Sequence, residues 1–220
     1  MEERIDLSLR EGEGLRRSGL KAVFVFSTRY VDVLVVPWII EFEVLYVYFL
    51  ARIASLCLPM ALAILGNKVE PVLSSLASTQ EQTPFRAAAA RVNLGYLMIS
   101  GAMALFVISG GSYLATALEP EFREILIWLV IGQSAPVLFG ATGLLMRIVD
   151  RGTFYDVLGG ITATMFLAGI FLLRATDGVD VALTFAVSQL TLAAVSALLL
   201  TQCGIWPGLT ALFHKQIKLF

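Results

Sequence analysis

The stretch Val181–Cys203, VALTFAVSQLTLAAVSALLLTQC, contains no charged residue over 23 consecutive positions. An α-helix needs about 20 predominantly apolar residues to cross the hydrocarbon core of a bilayer, so this stretch is long enough to do so. It predicts a transmembrane helix and makes the bilayer the reference environment for the rest of the chain.

Five further apolar segments of similar length precede this stretch. Hydrophobic residues make up 58% of the 220 residues and charged residues only 15%, and the mean hydropathy is +0.82, which is far from the average of soluble proteins. The predicted fold is therefore an all-α, polytopic membrane protein of six transmembrane helices rather than a water-soluble domain. The first five segments are Leu20–Ile40, Leu45–Gly66, Asn93–Leu118, Ile125–Ile148 and Phe154–Arg174.

The charges that flank these segments divide the chain and orient it. Of the 16 basic residues, 12 fall on one predicted side of the membrane. By the positive-inside rule this side is cytoplasmic, and it holds both termini. Residues 1–19 are then a charged cytoplasmic linker, residues 20–203 the bundle, and residues 204–220 a short amphipathic tail. The 12 residues are Arg4, Arg10, Arg16, Arg17, Lys21, Lys68, Arg86, Arg91, Arg147, Arg151, Lys215 and Lys218.

The connection between the second and third segments is too polar to span. Val72, Leu73, Leu76 and Ala77 recur at helical spacing, so the second helix is expected to continue beyond the membrane. A turn at Thr83-Pro84 is predicted to end it.

Several function classes are disfavoured by what the sequence lacks. The net charge of −1 argues against a nucleic-acid partner, because such proteins concentrate Lys and Arg on one face. The sole histidine, His214, lies in the tail, so we expect no His-based catalytic triad or intramembrane metal site, and no resident cofactor. Neither a P-loop nor a GxGxxG motif occurs, and we do not expect an enzyme. Cys57 and Cys203 have no metal-ligand spacing and are expected to be small buried apolar residues rather than a disulfide.

Three ionisable residues fall at mid-depth of predicted helices. Arg29 and Asp32 lie near the middle of the first segment and Arg52 lies within the second. Each costs about 2.5–3.5 kcal/mol to insert, so such residues normally face a bundle interior or a wet cavity. Arg29 and Asp32 are three residues apart on one helical face and can neutralise each other. Two positive charges against one negative leave a cationic patch suited to an anionic ligand such as a phosphate, and a purely structural buried pair is the alternative.

Polar and small residues in later segments give weaker signals. Gln133 is the strongest candidate to line the same cavity as these charges, although such groups also simply hydrogen-bond across helices. The other candidates are Ser134, Thr142, Thr162, Thr164, Ser188 and Gln189. Two rows of small residues, Gly132/Pro136/Gly140 and Gly160/Thr164/Ala168, recur every four positions and predict close helix packing.

Several segments, in this order and spacing, together resemble a known family. VDVLVV at 31–36, YFLARI at 48–53, Pro59 and PVLS at 71–74 resemble the start of the C-terminal half of polysaccharide flippases. These proteins belong to the multidrug/oligosaccharidyl-lipid/polysaccharide exporter superfamily. GQSAPVLFGATGLLM at 132–146 is similar to the Gly-Gln segment of that family, and the segments that lead to it, GSYL at 111–114 and FREILIW at 122–128, fit as well.

The resemblance implies a function as well as a fold. Members have two six-helix lobes around a central cavity and move lipid-linked sugars by alternating access, often coupled to a gradient of H⁺ or Na⁺. This chain would be one C-terminal lobe in a plasma membrane, with the bilayer, a lipid-linked oligosaccharide and a second lobe, either another copy or a separately encoded half, as partners. Arg29, Asp32, Arg52 and Gln133 are the expected substrate-binding residues. The rival interpretation is a truncated lobe that is inactive alone or serves as a membrane scaffold.

Overall fold

The computed structural model describes residues 30–78, 82–114 and 120–205, and every regular element within these ranges is a helix. The all-α prediction is confirmed for this part of the chain. The helices are α1 (Val31–Val35), which a 3₁₀ turn (Val36–Trp38) extends, α2 (Phe42–Ser55), α3 (Cys57–Ser78), α4 (Gln82–Leu114), α5 (Pro120–Gln133), α6 (Ala135–Phe139), α7 (Thr142–Ile148), α8 (Gly152–Leu173) and α9 (Gly178–Gln202).

Four helical segments among the described residues are long and apolar enough to cross a membrane. They are Phe42–Ser78, which comprises α2 and α3, together with Thr83–Gly111, Gly152–Leu173 and Gly178–Gln202. They correspond to the second, third, fifth and sixth predicted segments. The protein is thus a membrane-embedded helical bundle, and the count of six spans stays a prediction.

The first and fourth predicted segments differ from the other four. Residues 20–29 of the first segment lie outside the described residues, as do the linker 1–19 and residues 206–220 of the tail. The fourth segment, predicted as one continuous helix over Ile125–Ile148, is instead divided into α5, α6 and α7. Two residues explain the division: Pro136 cannot donate a helical hydrogen bond, and Gly140 has φ 70°, a backbone conformation that favours glycine.

The second helix continues to Ser78, as its apolar spacing predicts, but the turn prediction is wrong in its detail. Helix α4 begins at Gln82, so Thr83 and Pro84 form its first turn rather than the end of the preceding helix. A proline is tolerated at this place because the first N–H groups of a helix have no intrahelical partner in any case.

The two ends of the bundle carry different charges. Val44 and Ile125 both pack against Gly178, so α2, α5 and α9 begin at the same end. We call it the acidic end, since its described acids are Glu41, Glu43, Glu121, Glu124, Asp177 and Asp180, with Arg123 and Arg174. The opposite, basic end carries Lys68, Arg86, Arg91, Arg147 and Arg151, with Glu70, Asp150 and Asp156.

The buried apolar side chains form two clusters, one in each half of the bundle. The acidic-end cluster is the larger and includes Tyr48, Phe122, Leu129, Phe166 and Phe185. The basic-end cluster includes Leu62, Leu73, Phe85, Leu145 and Leu200. The polar groups described below lie where the two clusters meet.

The two rows of small residues have different outcomes. Gly132 lies directly against α9, where an added Cβ would stand 2.8 Å from the Cα of Ala186, so this row does mediate close packing. Thr164 and Ala168 are exposed, so the second row does not pack within the lobe. Its neighbour Gly169 instead contacts Thr184 of α9.

Candidate functional site

A buried ion pair joins α1 to α2. Asp32 and Arg52 are both buried, and Arg52 Nη2 donates to Asp32 Oδ1 at 3.2 Å. Arg52 Nε approaches Asp32 Oδ2 at 2.7 Å without hydrogen-bond alignment, so this contact is purely ionic. The Tyr48 hydroxyl donates to the same Oδ2 at 3.1 Å. Because Arg52 follows Phe42 by ten residues, about 15 Å of helix, the pair lies near the middle of the hydrocarbon core, which is about 30 Å thick.

Arg52 is also held from the other side of the bundle. The guanidinium carbon lies 4.5 Å from the centroid of the Phe185 ring on α9, which is within range of a cation–π interaction. The Gln133 amide is assigned with its oxygen toward Arg52 Nη1, since the reverse orientation places donor against donor. In this orientation its oxygen accepts from Nη1 and its nitrogen donates to the Ser55 carbonyl at 3.0 Å. We call Asp32, Tyr48, Arg52, Ser55 and Gln133 the polar network.

The network satisfies a backbone group that a proline leaves free. Pro59 has no N–H, so the carbonyl of Ser55, four residues earlier, lacks its helical donor, and Gln133 supplies one from α5. The break between α6 and α7 also leaves a backbone group without a helical partner. There the buried Asn93 of α4 accepts a hydrogen bond from Ala141 N at 2.9 Å. Irregular backbone at membrane depth requires such partners, since lipid offers none.

A cavity of about 370 Å³ extends from the network toward the basic end. Arg52, Gln133 and Phe185 form its inner limit, at the boundary with the acidic-end cluster. Asn67, Glu70 and Arg147 are exposed and line its outer part, so the cavity opens at the basic end. Its volume falls within the range of small-molecule sites. The other polar lining residues are Tyr30, Tyr96, Thr142, Tyr155, Asp156, Thr162 and Gln189.

Glycines on three helices line this cavity. Gly66 lines it on α3, Gly143 on α7 and Gly159 on α8. A Cβ added to Gly143 would stand 2.9 Å from the hydroxyl of Tyr155, and one added to Gly66 would stand 2.9 Å from the hydroxyl of Tyr96. At the cavity, the basic-end half thus places glycines against aromatic hydroxyls. The result is a recess lined by both polar and apolar groups.

Three of the four predicted binding residues come together. Asp32, Arg52 and Gln133 lie in one network, and Arg29 lies outside the described residues. The ion pair is Asp32 with Arg52, where the sequence had suggested Asp32 with Arg29. The charge of Arg52 is therefore compensated by Asp32, and Arg52 is not a free cation for an anionic ligand. The binding role of these residues stays a prediction.

The weaker polar candidates divide between the cavity and the helix backbone. Thr142, Thr162 and Gln189 line the cavity, as proposed. Ser134 Oγ donates to the Ile131 carbonyl at 3.0 Å and Ser188 Oγ to the Thr184 carbonyl at 2.8 Å, so these two serve their own helices. Thr164 does the same on the exposed face of α8.

Sequence reasoning missed the aromatic members of the site. Tyr48 precedes Arg52 by four residues on the same helical face, a spacing that could have identified it. Phe185 and Tyr155 carry no such signal, because their approach to the cavity depends on how α8 and α9 pack. No group of three or more His, Cys, Asp or Glu side chains in the described ranges is placed to hold a metal ion.

Comparison with known proteins adds no relative. No protein-family model, no curated protein and no solved structure matches the chain. The likeness to polysaccharide flippases therefore rests on the sequence motifs, and any function has to be argued from the geometry of the site.

Proposed function

We propose that this chain is one lobe of a membrane transporter that moves lipid-linked oligosaccharide or polysaccharide precursors across the plasma membrane by alternating access. The observation that carries the proposal is the cavity, lined in part by polar side chains, that reaches from the basic end to the polar network. The cargo class, the H⁺ or Na⁺ coupling and the cytoplasmic position of both termini follow the sequence resemblance and the positive-inside rule.

Alternating access requires a passage that is open at one end and closed at the other in both the inward-open and the outward-open state. Here the closed end is the acidic-end cluster, whose large side chains fill the bundle beyond Arg52 and Phe185. Because alternating access moves one repeat against another, a single lobe needs a partner, either a second copy or a separate six-helix half.

Arg52 and Gln133 are the residues we assign to the cargo, and Asp32 to positioning Arg52. Both side chains lie at the inner limit of the cavity, and a guanidinium with an adjacent amide offers donors and acceptors to phosphate or sugar oxygens. Since Asp32 compensates the charge of Arg52, an anionic group would bind there by competing with the Asp32 carboxylate. This makes Asp32 part of the binding equilibrium.

Filling the cavity tests the proposal directly. Ala63 and Ile64 are both exposed, but Ala63 lines the cavity and Ile64 does not. In proteoliposomes with a fluorescent polyprenyl-diphosphate sugar, we expect the parent protein to translocate the lipid faster than protein-free vesicles do. Ala63→Trp is expected to abolish that excess, because the indole occupies the recess.

The matched control is Ile64→Trp, which adds the same side chain to the lipid-facing side and should translocate at the parent rate. Equal rates for parent and Ala63→Trp would contradict a role of the cavity in transport. The membrane fraction of each variant is compared by size-exclusion chromatography, so that misfolding is recognised.

The second candidate is a folded lobe without activity of its own. It is favoured by the complete pairing of the buried charges in the described part of the chain, which is also what a purely structural network would show. If the parent protein, well folded in vesicles, translocates no faster than protein-free vesicles, transport by two copies of this chain is excluded. If adding a separate six-helix half from the same cell restores no transport either, this interpretation replaces the first.

A further inference from the structure

Two neighbouring spans are interrupted at the same level of the bundle. Helix α2 ends at Ser55 and α3 begins at Cys57, while α5 ends at Gln133 and α6 begins at Ala135. The two interruptions are in contact, since the Gln133 amide nitrogen donates to the Ser55 carbonyl. They are therefore a shared structural level and not two unrelated irregularities.

A proline weakens the helical ladder at each interruption. Pro59 removes the donor for the Ser55 carbonyl, and Pro136 removes the donor for the Gly132 carbonyl in the same way. At Leu56 the N–H is shared between the carbonyls of Arg52 and Ile53, at 3.2 and 3.1 Å. Sharp bends in helices occur at such sites, because fewer hydrogen bonds oppose them.

The two sides of this level differ in the room they offer. On the acidic side, Tyr48, Leu129 and Phe166 are fully buried and leave the helices no space to move. On the basic side, α3 and α7 border the cavity of about 370 Å³. These two helices also carry Leu73 and Leu145 of the basic-end cluster, but the cavity beside them leaves room that the acidic side lacks. A bend at the shared level is therefore accommodated by the basic-end halves rather than by the acidic-end halves.

We propose that the second and fourth spans bend together at Ser55–Cys57 and Gln133–Ala135, so that the basic-end half of the lobe opens and closes around its cavity while the acidic-end half stays fixed. The hydrogen bonds of Gln133 to Arg52 and Ser55 couple the two bends. This inference goes beyond the proposed function, since the motion does not depend on what the cavity binds.

Distances between spin labels on the same two spans, measured at both ends, test the motion. Cys57 and Cys203 are exposed and are first replaced by serine. One protein then carries labels at Lys68→Cys and Phe154→Cys near the basic end, and another at Phe42→Cys and Leu172→Cys near the acidic end, all at exposed positions. In lipid nanodiscs without ligand, pulsed electron–electron double resonance should give a broad or two-component distribution at the basic end and a single narrow one at the acidic end.

Restoring the missing N–H groups should suppress the motion. Pro59→Ala with Pro136→Ala returns a helical donor to both carbonyls and favours a straight helix, so folding is retained and the basic-end distribution should collapse to one narrow component. Pro71→Ala is the matched control, because it lies beyond the Lys68 label and should change nothing. Equally narrow distributions at both ends of the parent, or a basic-end distribution that the double variant leaves unchanged, would overturn the proposal, whatever the transport assay shows.

Discussion

The two halves of the bundle are made from the same spans but differ in how their interiors are filled. In the acidic-end half, large side chains such as Tyr48, Phe122 and Phe166 are fully buried and fill the interior. In the basic-end half, glycines face tyrosine hydroxyls and leave a polar cavity. The difference teaches that both halves have a buried apolar cluster, while the basic-end half also keeps a cavity that can serve binding or passage.

The polar network is the boundary between these halves, and it belongs to both. Tyr48 and Phe185 of the acidic-end cluster contact Asp32 and Arg52, while Arg52 and Gln133 also line the cavity. A substitution in the network should therefore lower the stability of the lobe, and it should also change access to the cavity.

The largest effect is expected from removing one charge of the buried pair. Arg52→Met leaves the Asp32 carboxylate buried without a counter-charge, which costs about 3–5 kcal/mol in comparable buried pairs. We expect a large loss of thermal stability in detergent, measured by the temperature at which the monodisperse peak disappears in size-exclusion chromatography.

The double variant Asp32→Asn/Arg52→Met should recover most of that loss, since no unpaired charge remains and Asn can still accept from the Tyr48 hydroxyl. Arg123→Met, at an exposed position of the acidic end, is the control and should be close to neutral. A double variant no more stable than the single one would mean that the pair is not the main link between α1 and α2.

A smaller effect is expected at the closest helix contact near the boundary. In Gly132→Ala the new Cβ would stand 2.8 Å from the Cα of Ala186, so α5 and α9 must separate, at a cost of about 1–3 kcal/mol. The same substitution at Gly110, where nothing lies within 4 Å, should instead stabilise α4 by about 0.5–1 kcal/mol. Thermal unfolding of the two variants should show stability changes of opposite sign. If Gly110→Ala is destabilised instead, this face of α4 is covered by a partner.

The sequence predicted the spans well because their signal is local. Unbroken apolar length identified α8 and α9 to within three residues at each end, since lipid allows only helices with internally satisfied backbones. The cost of an intramembrane charge likewise singled out Asp32 and Arg52 without any tertiary information.

What the sequence could not predict depends on packing between distant segments. The partner of Asp32 was assigned to Arg29 by helical spacing, whereas the structure pairs it with Arg52 from the next helix. The division of the fourth span needs Asn93, 48 residues from the N–H it satisfies. The cavity itself is lined by residues of several helices, so no single segment predicts it.

Two cysteine substitutions on α9 that should barely change stability test most sharply whether the basic-end half is open to water and the acidic-end half is closed. On α9, Gln189 lines the cavity while Val187, two residues earlier, is 53% exposed on the outer face of the bundle, where lipid covers it. In the protein with Cys57 and Cys203 replaced by serine, Gln189→Cys and Val187→Cys should each alter stability by less than about 0.5 kcal/mol, as is usual away from caps, cores and networks.

A membrane-impermeant thiol reagent added on the basic side should nevertheless modify only Gln189→Cys, because a charged reagent reaches thiolates through water and not through lipid. Added on the acidic side it should modify neither, since the acidic-end cluster closes that route, and modification of Gln189→Cys from the acidic side would show that the packed half is not a barrier.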